Sequence, residues 1–232
     1  MSRSLLAAVV AAFAALMPAA AWAQAGPTLT FDQPCYSPGD TMTFSGTGFT
    51  PGGAVNLLFN SLTTQQMGQF DTTADPGGAI TGKLDPPDPD EYLGANDWAG
   101  AVGVAANDRT RIDAGAPEEQ QFAGDVFRLS RFEVGVEQPN GRRPKARKPM
   151  RVTAVGYTNA RGKTLYMHYR RNRRTVKTIK LGRLRGECGD RTRTLPRALP
   201  RGLSRGRYEL VFNTSASDPN ALPKQFSTLR LR

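Results

Sequence analysis

Three turn-forming tetrapeptides punctuate the first third of this chain and decide what it can fold into. Ser37-Pro38-Gly39-Asp40, Thr50-Pro51-Gly52-Gly53 and Asp75-Pro76-Gly77-Gly78 each join a proline, which presets φ, to a glycine that tolerates φ above zero. Helices do not run through such clusters. The segments between them carry β-branched and aromatic residues. They predict strands at 28–31, 41–45, 54–60, 68–73, 79–84, 98–106 and 121–129. Spacing of this kind belongs to an all-β sandwich. Composition agrees: 24 Gly and 17 Pro in 232 residues are too many for a helical bundle, and 39% apolar residues are too many for a disordered tail.

The second half repeats the scheme, with strands predicted at 131–137, 150–155, 164–170, 175–182, 207–213 and 225–231, and Asn172-Arg173-Arg174 as a hairpin tip. Gly156-Tyr157 follows the second strand of this half as Gly48-Phe49 follows the second strand of the first. The expected architecture is therefore two tandem immunoglobulin-like β-sandwiches, diverged copies of one module, at 24–130 and 131–232. Each is about 100 residues long, the usual size of such a domain.

Ahead of them stands a targeting signal. Arg3 precedes an apolar run over 5–21 that ends in Ala21-Trp22-Ala23, so a signal peptide over 1–23 is expected, with cleavage before Gln24. Pro18 and the many alanines weigh against a membrane anchor, and no second run of membrane length follows. The mature chain is expected outside the cytoplasm, secreted or held at the envelope.

Residues 35–39, Cys-Tyr-Ser-Pro-Gly, and then 43–52, Thr-Phe-Ser-Gly-Thr-Gly-Phe-Thr-Pro-Gly, resemble bacterial Ig-like modules of the IPT/TIG kind. The second half, with Leu165-Tyr166-Met167-His168-Tyr169 and Glu187-Cys188-Gly189, is similar to domains of exported proteins from high-GC bacteria. The resemblance implies a fold and a compartment, and it supplies no catalytic residue. Gly46-Thr47-Gly48 does not begin a nucleotide site, because Pro51-Gly52-Gly53 stands where a helix should start.

Charge is divided between the halves. Residues 24–130 hold 4 basic and 14 acidic side chains, whereas residues 131–232 hold 26 basic and 6 acidic. The basic residues concentrate at Arg142, Arg143, Lys145, Arg147 and Lys148, and again at Arg170, Arg171, Arg173, Arg174 and Lys177. These are candidate polyanion contacts for nucleic acid, anionic glycan or cell-wall polymer, with Tyr166 and Tyr169 placed to stack on bases or sugar rings. Two other readings stand beside this one. Arginine enrichment over lysine follows from GC-rich coding alone, and the acidic half is expected to contact the basic half. The acidic run 85–91 lacks calcium-loop spacing, and its three prolines predict a stiff extended loop.

Cys35 and Cys188 are the chain's two cysteines. In an Ig-like topology the turn after the first strand lies at the end where the chain leaves the first domain. Cys188 follows a hairpin that returns to the end facing that domain. An interdomain Cys35–Cys188 disulfide is expected, the alternative being two unpaired thiols buried as small apolar residues.

His168, the single histidine, lies in a predicted strand, with surface or half-buried exposure expected and no nucleophile motif nearby. Asn213-Thr214-Ser215 matches a glycosylation sequon. No cofactor or metal is expected. The favoured function is a non-catalytic exported protein in adhesion, the envelope or structure, its partner an envelope polymer or another surface protein. A polyanion-binding module comes second and an exported hydrolase using paired carboxylates third.

Overall fold

The computed structural model describes residues 26–140 and 142–231. The export signal expected at 1–23 and its cleavage point lie outside the described residues. The first unit comprises β1 (Thr28–Phe31), β2 (Cys35–Tyr36), β3 (Met42–Thr47), β4 (Ala54–Ser61), β5 (Met67–Thr73), β6 (Ile80–Leu84), β7 (Ala99–Asp108) and β8 (Phe122–Ser130). Its two sheets run β1-β3-β6 and β2-β8-β7-β4-β5. The second unit comprises β9 (Glu133–Glu137), β10 (Met150–Val155), β11 (Thr164–Arg171), β12 (Arg174–Arg183), β13 (Arg191–Leu195), β14 (Gly206–Asn213) and β15 (Gln225–Leu231). Its sheets run β9-β10-β13 and β12-β11-β14-β15.

The two orders are the same apart from β2. Strands β1, β3 and β6 correspond to β9, β10 and β13, and the order β5-β4-β7-β8 corresponds to β12-β11-β14-β15. Both units are thus Ig-like sandwiches of one topology. Period-two burial explains why these residues make strands. Along β7 Val102, Val104 and Ala106 point into the core between half-exposed Ala101, Gly103 and Ala105, and along β11 Leu165, Met167 and Tyr169 do the same. The buried residues fall into two clusters, one between Leu29 and Leu129, the other between Ala146 and Leu231.

The glycine–aromatic pairs after β3 and β10 share one geometry. Gly48 and Gly156 both have φ near +80°, at 83° and 76°, and each turns a buried aromatic, Phe49 or Tyr157, back into its core. Gly156 is also fixed by its neighbours, since a Cβ there would lie 2.1 Å from the Arg131 carbonyl oxygen and 2.8 Å from Ser37 Oγ.

Three elements depart from the sequence expectation. Strand β2 is two residues long, and β13 exposes Thr192, Arg193 and Thr194, so neither shows a hydrophobic pattern. The acidic run is not extended throughout: Pro89–Tyr92 forms a short helix, α1. Asp88 caps it by accepting from the Asp90 amide at 2.8 Å, Pro89 occupies the first helical position, and Tyr92 is buried.

The two sandwiches meet at a covalent junction. Cys35 and Cys188 form a disulfide with Cα atoms 5.2 Å apart. Beside it the buried Asp40 carboxylate accepts from the Ser37 amide at 2.8 Å, from Thr158 Oγ1 at 2.7 Å and from Asn159 Nδ2 at 2.5 Å. Arg131 pairs with Asp90 across the same junction. The contact expected between acidic and basic halves therefore uses neither of the basic clusters.

Candidate functional site: a cationic groove

Both basic clusters belong to the end of the second sandwich farthest from the junction. Strand register places them there: β10 begins opposite the end of β13 (Met150 against Leu195), and β11 ends opposite the start of β12 (Arg171 against Arg174). The loops 138–149, 172–173 and 196–205 consequently gather at one pole. None of the three contains an aspartate or glutamate.

Main-chain bonds hold this pole in shape. The Ala198 amide donates to the Lys148 carbonyl at 2.9 Å, and the Leu199 amide to the Ala146 carbonyl at 3.0 Å. Under them lie two buried phenols. Tyr169 Oη donates to the Ala198 carbonyl at 2.8 Å, and Tyr208 Oη donates to the Ser204 carbonyl at 2.5 Å, the tyrosine corner of Ig-like sandwiches. The two rings meet edge to face at 5.8 Å. Arg171 links hairpin and loop, with Nη1 donating to Ser204 Oγ at 2.7 Å and its guanidinium 5.8 Å from the Tyr208 ring centre.

A groove of about 920 Å³ opens between the loop 143–148 and strand β15. Val136 of β9 lines one wall and Ser227, Thr228 and Leu229 of β15 the other. Arg143, Lys145, Arg147, Lys148, Arg205 and Arg230 converge on it, and among the described residues no acidic side chain lines it. Beside it Arg207 stands directly opposite Arg230 across β14 and β15, both exposed. Directly opposed like charges destabilise a sheet, and this pair adds to the positive charge gathered at the pole.

Of the residues expected to contact polyanion, Arg143, Lys145, Arg147 and Lys148 line the groove, and Arg142 is exposed just before them. Arg173 and Arg174 are exposed at the hairpin tip, and Lys177 lies further along β12. Arg170 is committed elsewhere: it pairs with Glu209 at 3.3 Å and donates to the Arg173 carbonyl at 3.0 Å. The stacking role expected of Tyr169 is overturned. Tyr169 is fully buried in the core, and burial pushes its phenol well above the usual tyrosine range. Tyr166 is half-buried opposite Asn213, near the junction end of β11 and away from the tip. Arg205 and Arg230 were not legible, because only the fold brings β14 and β15 against the loop after β9.

No family model matches the chain, and no curated protein is similar to it. Among solved structures, macromomycin is similar over 44% of this chain and 97% of its own, at 21% identity and a TM-score of 0.31. The transglutaminase of red sea bream is similar over 90% of this chain, at 13% identity and a TM-score of 0.33. This chain spans 31% of that enzyme.

His168 lies on the opposite face of β11 from Tyr169 and is buried, not half-exposed. Nε2 lies 3.1 Å from Asn213 Oδ1 and 3.0 Å from the Ser215 carbonyl, both acceptors, so it carries the proton. Nδ1 then accepts from Thr178 Oγ1 at 3.0 Å. Nε2 thus pins the segment after β14 to the sheet, and Nδ1 ties β11 to Thr178 of β12. The same network closes the sequon: Asn213 is fully buried and its Nδ2 donates to the Asp218 carbonyl at 2.9 Å. Among the described residues no group of three His, Cys, Asp or Glu side chains is placed to hold a metal ion, and no helix is long and apolar enough to cross a membrane.

Proposed function

We propose that this is a non-catalytic, exported binding protein whose second Ig-like sandwich holds an anionic ligand at its free pole. One observation carries the reading: six lysine and arginine side chains converge on a groove that, among the described residues, no carboxylate lines. The disulfide favours an oxidising compartment and fits export through the signal at 1–23. The resemblance of residues 35–52 to modules of the IPT/TIG kind fits a binding role on a secreted or surface-held chain. Main-chain bonds to Ala146 and Lys148 fix the loop that lines the groove, and Tyr169 and Tyr208 anchor the loop 196–205 beside it, which lowers the ordering cost of binding. His168 is spent on structure, which supports the non-catalytic part of the reading.

Titration of the mature protein with polyphosphate across a range of salt concentrations tests this. Affinity is expected to fall steeply as salt rises, with a slope that becomes shallower by about one for each groove cation removed. Arg205→Glu with Arg230→Glu is expected to weaken binding at least tenfold at low salt, since each replaces attraction by repulsion. A flat salt dependence, or full affinity in the double variant, would overturn the assignment.

A further inference from the structure

The two sandwiches differ at one place that bears on what enters the groove. In the first sandwich β8 is not an open edge. Strand β2 pairs with it in parallel, Cys35 beside Arg128 and Tyr36 beside Leu129, and the Arg128 amide donates to the Pro34 carbonyl at 2.9 Å. In the second sandwich β15 holds the place of β8, and among the described residues no strand holds the place of β2. Strand β15 ends its sheet, and among the described residues its main chain bonds only to β14.

The segment that should have covered this edge is the one that follows β9, and its residues explain why it does not. Pro139, Pro144 and Pro149 cannot donate to a ladder. The cations between them would have to lie beside Arg230. The segment bows outward instead, bonding to the loop after β13 through Lys148 and Ala146. What remains is a slot with one wall of positive charge and one wall formed by Ser227–Arg230, where alternate residues bond to β14 and those between turn their main-chain groups to the slot.

We propose that an extended, acidic peptide segment of a partner protein adds to the free edge of β15, in the position that β2 occupies on β8. Its main chain pairs with the edge and its carboxylates meet Arg143, Lys145, Arg147, Lys148, Arg205 and Arg230. This rests on the anion-binding reading above and narrows the ligand. A phosphodiester or a uronic glycan satisfies the cations but leaves the strand's amides and carbonyls to water, whereas an acidic peptide satisfies both walls. The same charges select the partner: a second copy of this edge is basic and is repelled, so open-ended self-pairing is blocked while an acidic strand is admitted.

The test uses the mature, disulfide-bonded protein and a synthetic peptide alternating Glu with Val and Thr. Two versions are N-methylated on alternate residues, one on each set, so that charge is unchanged. One set of amides faces the edge of β15 and the other faces away. One methylated peptide is therefore expected to bind on the order of tenfold more weakly than the parent, and the other within about twofold. Amides within Ser227–Arg230 are expected to gain protection from hydrogen exchange on binding the parent peptide. If both methylated peptides bind like the parent, charge alone holds the ligand and strand addition is wrong. If polyphosphate binds and no peptide does, strand addition is wrong and the cationic groove stands. If neither binds, both readings fall. Arg205→Glu, at an exposed loop position, is expected to weaken the peptide at least tenfold without altering the fold, and an unchanged affinity would also overturn the proposal.

Discussion

Tyr169 shows how a single side chain can carry a role unlike the one its sequence neighbourhood suggests. Its position between His168 and Arg170 reads as part of a basic, aromatic tip. Strand alternation sends it inward, where its hydroxyl is the donor that fixes the Ala198 carbonyl under the groove. Removing that hydroxyl leaves a buried carbonyl short of a partner, so Tyr169→Phe is expected to cost about 1–2 kcal/mol at neutral pH, read by denaturant unfolding. The pH dependence of that cost has a definite sign. Burial raises the phenol of Tyr169, and that of Tyr157, above their value in the unfolded chain. As pH rises past about 10 the unfolded chain releases protons that the native state keeps, so native stability falls by about 1.4 kcal/mol per pH unit for each such tyrosine. Tyr169→Phe lacks one of them. The gap between wild type and variant should therefore narrow above pH 10, and a gap that stays constant would show that Tyr169 ionises freely in the folded protein.

The hairpin of β11 and β12 trades stability for charge at the element scale. Asn172 and Arg173 both have positive φ, at 50° and 64°, which is the geometry of a tight two-residue hairpin turn. Asparagine tolerates that conformation well; arginine does so at a cost of about 1 kcal/mol. Arg173→Gly is thus expected to stabilise the protein by about 0.5–1 kcal/mol in thermal or denaturant unfolding while weakening polyphosphate binding. An Arg173→Gly variant that gains stability and loses no affinity would place the tip outside the binding surface. This turn was legible in the sequence, as were most strands, because β-branched runs and Pro-Gly turns are local signals. Strand β13 was not, since Arg191-Thr192-Arg193-Thr194 is a solvent-facing edge with only Leu195 fully buried. Strand β2 was not, because two residues carry no period. The groove was half legible for the same reason: Arg143 to Lys148 lie together in the chain, whereas Arg205 and Arg230 reach them through the pairing of β14 with β15.

At the scale of the whole molecule, the separate cores raise the question of what makes the two sandwiches one object. Each core is built from its own residues, and the links between them include the Cys35–Cys188 bond, the Asp40 network, the Arg131–Asp90 pair, the Arg131 bond to the Asp97 carbonyl, and the packing around Gly156 and of Trp98 on Gly135. The bond closes 153 positions, which in the chain-entropy model corresponds to about 5 kcal/mol. The two units also differ in electrostatic strain: residues 131–232 carry 26 basic against 6 acidic side chains, and self-repulsion weakens such a unit at low salt. With the bond intact, mass analysis should find no free thiol, and calorimetry should show the two units unfolding together. Cys35→Ala with Cys188→Ala is expected to lower the midpoint and to split the transition, the basic sandwich melting first. Added salt should raise that first transition by screening repulsion, and polyphosphate should raise it further by binding only the folded groove. A single transition in the double variant, indifferent to salt and to polyphosphate, would instead assign the coupling to the non-covalent junction and deprive the free pole of its ligand.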